Sequence, residues 1–213
     1  MEQYPSIDGS AKAPIGKPCI AFYKYDGSNL RWEWNPKKGW FKFGTRTQLF
    51  DKSDPLWGKA VPIFMNRMAD EIVYRVKHIE RGCQRITAFT EFFGPNTFTG
   101  VHPEMLTPGT TKNGVTAGSE EKELRLFDVY LFKRGLMKPR QFVKSFGDMP
   151  QVAQVIYDGN LNRQFIEDVR MGLYPVVEGV VAKGDDFMVK IKTYAYLKKL
   201  NEVFGTQYRN YWE

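Results

Sequence analysis

The stretch CIAFYKYDGSNLRWEW, residues 19–34, decides how the chain is read. Its first seven residues are largely aromatic and apolar around Lys24. Asp26-Gly27-Ser28-Asn29 are turn formers, and LRWEW then alternates apolar with polar side chains, so the stretch reads as strand, turn and strand. A lysine near the end of an apolar strand is unusual, because burying an ammonium is costly unless it is paired or loses its proton. A catalytic lysine exploits that cost: desolvation and neighbouring cations favour the neutral, nucleophilic amine. The Asp26-Gly27 turn then fixes where the amine points. The plain alternative is a hairpin turn with no chemistry, since Lys-x-Asp-Gly strings recur by chance.

Outward from this stretch, residues 1–18 carry Pro5, Gly9, Pro14, Gly16 and Pro18 and read as an irregular lead-in. WFKFGTR (40–46) is a third strand after Pro36-Lys37-Lys38-Gly39. Residues 63–80 place Ile63, Phe64, Met68, Ile72, Val76 and Ile79 at helical spacing. QRITAFTEFF (84–93) is a strand, and the Gly-, Thr- and Pro-rich segment 94–119 reads as a long surface loop of the kind that often carries function. ELRLFDVYLF (123–132) is strongly β-prone. A helix at 139–146, a strand at 152–157 and a helix over 161–171 follow. YPVVEGVVAKGDDFMVKIKTY (174–194) gives two strands around a Gly-Asp-Asp turn, and a short helix at 195–203 ends the pattern. The expected architecture is one α+β domain over 1–213, dominated by antiparallel strands.

The closing strands place charges inside apolar sequence. Period two puts Lys190 and Lys192 on one face, with Val189 and Ile191 on the other. If the loop is the three residues Gly184-Asp185-Asp186, or if an equivalent irregularity intervenes, Glu178 stands opposite Lys192 and joins the lysines' face. The alternative is an edge hairpin with a solvated face and cross-strand ion pairs. Three further residues stand out. Glu91 is a carboxylate within a strand of aromatics, Arg46 lies just past an aromatic strand, and Phe127 is an aromatic suited either to the core or to stacking on a base.

Thirty-one lysines and arginines against 24 aspartates and glutamates leave a net charge of +7, which suits a polyanionic partner. Cys19 and Cys83 are far apart with no CxxC pair, which excludes a cysteine-built zinc site and a disulfide framework. With no apolar signal core, no apolar run long enough to span a bilayer and only two cysteines, the expected setting is a reducing cytoplasm, away from membranes.

Taken in order, Lys24, Arg46, Glu91, Phe127, Glu178 and Lys190/Lys192 resemble the motif series of covalent nucleotidyltransferases: ATP-dependent DNA ligases, RNA ligases and mRNA capping enzymes. KYDGSN resembles the first motif, Arg46 motif Ia, EFFG and LFDVYLF motifs III and IIIa, EGVV motif IV and KIK motif V. The match runs from about residue 20 to 193. Within that superfamily the chain is most similar to phage-type RNA ligases of the nick-sealing family, relatives of RNA-editing ligases. The first motif ends in Asn29 as theirs does, and Thr45-Arg46 resembles their TR element. Asp26 is instead the choice of DNA ligases and capping enzymes. Phe22-Tyr23 replaces an acidic residue common just before the nucleophile.

The resemblance implies an ATP-grasp-like ligase catalytic domain and an RNA-repair ligase chemistry. Lys24 would attack the α-phosphate of ATP and carry AMP, which passes to a 5′-phosphate end before a 3′-hydroxyl seals the strand. It assigns Lys190 and Lys192 to the α-phosphate and to lowering the pKa of Lys24. Glu178 goes to a magnesium or manganese ion, and Glu91 to that ion or to the ribose. Phe127 stacks on the purine, Asp26 and Arg46 belong to the nucleotide site, and Asn29 serves the later steps. Partners would be RNA strand ends or a nicked duplex. Twenty-one residues follow Lys192, too few for a C-terminal OB-fold domain, so a bare core is expected, helped by an accessory protein or a domain in trans. The competing readings are a minimal ATP-dependent DNA ligase and a catalytically silent nucleic-acid-binding module.

Overall fold

The computed structural model describes residues 1–94, 111–112, 115–116 and 122–206. Most of the long loop expected over 94–119 lies outside the described residues, although Thr111–Lys112 and Val115–Thr116 pair as a short antiparallel ladder. The chain is α+β and rich in antiparallel pairing, as its patterning predicts. It divides into two compact units: Met1–Tyr4 with Asp26–Val152, and Pro5–Tyr25 with Ala153–Glu213.

In the second unit a five-stranded sheet runs in the order β1 (Asp8–Gly9), β13 (Met188–Lys192), β12 (Gly179–Lys183), β2 (Pro18–Lys24) and β11 (Val155–Asn160). Every pair is antiparallel except β1 with β13. The lead-in therefore supplies an edge strand that its Gly and Pro content hides. Ala21, Tyr23, Val180, Ala182, Val189 and Ile191 are buried and by alternation share one face. Helix α4 (Arg163–Arg170) packs on β12 and β13 with Phe165, Ile166 and Val169 buried. Helix α5 (Tyr194–Phe204) begins at Thr193, whose hydroxyl accepts from the Tyr196 N–H.

In the first unit a six-stranded sheet runs β10 (Gly135–Leu136), β9 (Glu123–Leu131), β6 (Ile86–Phe93), β3 (Ser28–Asn35), β4 (Gly39–Gly44) and β5 (Leu49–Phe50). Trp32 on β3 lies flat on Phe64, with ring centroids 4.1 Å apart, and donates its indole N–H to Thr90. Leu30, Ile86, Leu126, Val129, Ile72 and Val76 complete this core, which a third helix, α3 (Pro139–Phe146), extends with Phe142 and Phe146.

Two expectations are corrected. The helix expected over 63–80 is two, α1 (Ala60–Arg67) and α2 (Ala69–Ile79), broken at Met68, where φ is −147°. Phe64, Met68, Ile72 and Val76 are all buried at four-residue spacing. On one straight helix that row would rotate about 40° at each step, and a break midway takes up the drift. Strands β2 and β3, moreover, are not a hairpin: they belong to different sheets, and the chain passes from one unit to the other between Tyr25 and Asp26. Alternation marks strands but does not name their partners.

Candidate functional site

Lys24 ends β2 directly beside Gly179 on β12, and Gly179 stands beside Lys192 on β13. Lys24, Gly179 and Lys192 thus form one row across three strands, with the two lysines roughly 10 Å apart at the backbone. Because Gly179 has no side chain, the space between the lysines is open to the Glu178 carboxylate. Its Oε1 lies 2.8 Å from Lys24 Nζ and 3.1 Å from Lys192 Nζ. Glu178 and Lys192 are buried and Lys24 is partly exposed. Burial pushes the Glu178 carboxyl up, but the two ammonium groups outweigh burial, and its pKa falls below the usual carboxylate range. Lys190 lies two residues along β13 on the same face as Lys192.

The way Glu178 reaches this face differs from the expected loop count. Gly184 N–H donates to Phe187 O at 3.0 Å, so the turn has two central residues, Asp185 and Asp186, and Gly179, not Glu178, pairs with Lys192. An unbroken pleat would then send Glu178 to the Val189 and Ile191 side. Gly179 prevents this: its φ is +150°, which L side chains rarely adopt, and a Cβ there would lie 2.0 Å from the Ile191 carbonyl oxygen. The irregularity lies in the glycine torsion rather than in the loop.

The remaining sequence-derived residues belong to the other unit. Asp26 opens it and is buried. Gly27 is required there by close approach, since a Cβ would meet the Phe92 carbonyl oxygen at 2.3 Å. Asn29, Glu91 and Arg125 make one row across β3, β6 and β9. Among the described residues, none is a hydrogen-bond partner of the buried Asn29 Oδ1. Phe127 sits two residues beyond Arg125 at a β-bulge: Leu126 pairs with Thr90 and Asp128 with Phe89, leaving Phe127 between them. Its half-buried ring meets Tyr4 edge-on, with centroids 5.0 Å apart, and the Tyr4 hydroxyl donates to Asp128 at 2.9 Å. Arg46 is exposed in the tight turn Thr45–Gln48, whose Thr45 carbonyl accepts from the buried Arg31 guanidinium at 2.7 Å.

Lys24, Glu178 and Lys192 are therefore brought together, and Asn29, Glu91 and Phe127 share one sheet. Sequence reasoning missed Gly179, because its backbone torsion leaves no trace in the period-two pattern. It also missed Tyr23 and Thr193, whose hydroxyls bond the backbone at Val177. The signal available for Thr193 was an N-cap threonine directly before a helix.

Among the described residues no three or more His, Cys, Asp or Glu side chains gather as a metal cage. Glu178 Oε2, however, is buried and lacks a hydrogen-bond partner among those residues. A lone carboxylate oxygen of this kind fits a hard divalent cation whose other ligands are substrate phosphates and water. The two lysines and one carboxylate of the row sum to one positive charge when ionised, which suits a phosphate.

No protein-family model and no curated protein sequence matches the chain. Solved structures of Naegleria gruberi RNA ligase do resemble it. With the structure holding pyrophosphate, the TM-score is 0.64 at 15% identity over 95% of this chain and 58% of that one. With a lysine-to-alanine mutant holding ATP and manganese, the TM-score is 0.62 at 14% identity over 93% and 58%. With an R4a lysine-to-alanine mutant in the apo state, it is 0.62 at 15% identity over 93% and 58%. The chain spans 58% of the length of these structures. At such identities the likeness concerns the fold, and the chain has an α+β fold similar to that of Naegleria gruberi RNA ligase.

Proposed function

We propose that the chain is an ATP-dependent polynucleotide ligase, an RNA ligase in preference to a DNA ligase, acting through a lysyl-AMP intermediate. The observation that carries this reading is the row Lys24–Gly179–Lys192 with the Glu178 carboxylate between the lysines. It occurs in a fold similar to that of an RNA ligase solved with ATP and manganese.

On this reading the neutral amine of Lys24 attacks the α-phosphorus of ATP. An N–P bond forms, the bond to the β-phosphate oxygen breaks, pyrophosphate leaves and the amine releases a proton. An oxygen of a 5′-phosphate end then displaces Lys24 from AMP. A 3′-hydroxyl finally attacks that 5′-phosphate, making the phosphodiester and releasing AMP. Each step is an in-line transfer in which the protein positions groups and stabilises equatorial charge. Lys190 and Lys192 hold the α-phosphate. Phe127 stacks on the purine, Asp26 and Arg46 serve the nucleotide, Glu91 binds the ribose or a cation, and Asn29 acts after adenylylation. A magnesium or manganese ion would be held by Glu178 together with substrate phosphates, and would supply positive charge to offset the phosphates.

The ion pair at 2.8 Å sets a requirement: Lys24 must pass on a proton before its amine can attack, while the Glu178 carboxylate stays in place beside it for the cation. Asn29 favours RNA and Asp26 is the feature a DNA ligase would share. The test is sealing of 5′-phosphorylated RNA and DNA nicks with ATP and magnesium. Faster joining of RNA supports the reading, faster joining of DNA selects the second, and no joining of either overturns both.

A further inference from the structure

Glu178 lies just outside the ladder of β12, which begins at Gly179. It precedes a glycine at φ +150°, the least restrained residue type in the chain. Strand pairing alone therefore does not hold it between the lysines. Three buried hydrogen bonds hold the Val177–Glu178 backbone instead. The Val177 N–H donates to the Tyr23 hydroxyl at 3.0 Å, the Thr193 hydroxyl donates to Val177 O at 2.8 Å, and the Thr193 N–H donates to Glu178 O at 2.9 Å. Tyr23 and Thr193 are 4% and 2% exposed, so these bonds are shielded from water. Tyr23 directly precedes Lys24, and alternation turns it to the opposite face of the sheet, where its ring lies 4.4 Å from that of Tyr25. Thr193 directly follows Lys192 and also caps α5.

We infer that Tyr23 and Thr193 are positioning residues that hold the Glu178 carboxylate between Lys24 and Lys192. Each is the chain neighbour of the lysine it serves. The nucleophile's strand and the second lysine's strand thus grip the same two peptide groups that present the carboxylate. Neither hydroxyl contacts the carboxylate; both act through the Val177–Glu178 backbone. The inference rests on the ligase reading for its catalytic consequence but not for the clamp itself.

The test is single-turnover adenylylation by the full chain with ATP and magnesium. Tyr23→Phe keeps the ring and removes only the hydroxyl; its maximal rate should fall about tenfold while half-saturating ATP changes less than about twofold. Thr193→Val should fall comparably, and Thr193→Ser, which restores the hydroxyl, should recover most of the rate. Because both hydroxyls act on one segment, the double variant Tyr23→Phe/Thr193→Val should fall well short of the product of the single losses. A rise in half-saturating ATP at unchanged rate, a Thr193→Ser as slow as Thr193→Val, or fully multiplicative losses would each overturn the positioning role.

Should wild-type protein form no adduct, the ligase reading fails, and amide hydrogen exchange decides the clamp separately. The Val177 N–H should be protected in wild type and exchange at least about tenfold faster in Tyr23→Phe, with the β12 and β13 amides unchanged. Unchanged Val177 exchange overturns the clamp.

Discussion

Gly179 shapes the chemistry of its neighbours through what it lacks. Without a side chain it leaves room for the Glu178 carboxylate between Lys24 and Lys192, and at φ +150° it turns that carboxylate onto the lysines' face. Gly179→Ala should lower stability by about 2–4 kcal/mol, because the added methyl meets the Ile191 carbonyl and the torsion is strained. Urea denaturation measures this, and a loss below about 0.5 kcal/mol contradicts the geometry. Glu178 itself carries a pH signature. Its folded-state pKa lies below the usual range because the pull of Lys24 and Lys192 exceeds the effect of burial. The stability it contributes is therefore fully present above the ordinary carboxylate value of about 4.3, and it is lost as pH falls through the lower folded-state value. Wild type and Glu178→Gln should differ most in unfolding free energy near neutrality and converge on acidification; a gap that widens toward acid contradicts the pairing. At this scale the residue types were legible: Lys24, Glu178 and Lys192 stand out as charges in apolar sequence. The torsion that unites them was not, since alternation counts residues and a glycine can break the count unseen.

Among the elements, β9 illustrates the same limit. Its nine residues read as a strand from composition, but the bulge at Phe127 is invisible in ELRLFDVYLF. Bulges re-aim side chains, and here the result is a half-buried ring where an unbroken alternation predicts either face alone. If Phe127 stacks on the purine, Phe127→Leu should raise half-saturating ATP several-fold, in line with a lost aromatic contact of roughly 1 kcal/mol. Unchanged ATP saturation would show that the ring serves packing only. Helix α4 was legible as a helix, expected over 161–171, but its start was not, since Asn162 stands outside it as the cap. The Asn162 side chain accepts from the Phe165 N–H at 2.7 Å. Asn162→Ala should cost about 1 kcal/mol in denaturant unfolding and leave adenylylation intact at saturating ATP. The broken α1–α2 pair was less legible, because no proline or glycine near Met68 announces the break.

For the molecule as a whole, the pattern of elements conveyed the α+β class, yet reading residues 19–34 as strand, turn and strand did not reveal that they are the crossing between two sheets. The reason is physical: periodicity reports which face of a strand is apolar, while partnership depends on residues more than 100 positions away, as with Lys24 and Gly179. That long-range pairing is what gives Lys24 its carboxylate neighbour, and the ligase reading stands or falls on what Lys24 does with it. The deciding measurement is intact and peptide mass spectrometry of the protein after incubation with ATP and magnesium. The expected result is a single AMP adduct, released pyrophosphate, attachment at Lys24 and no adduct on Lys24→Ala. A protein that remains unmodified, or one that carries AMP on another residue, would contradict it.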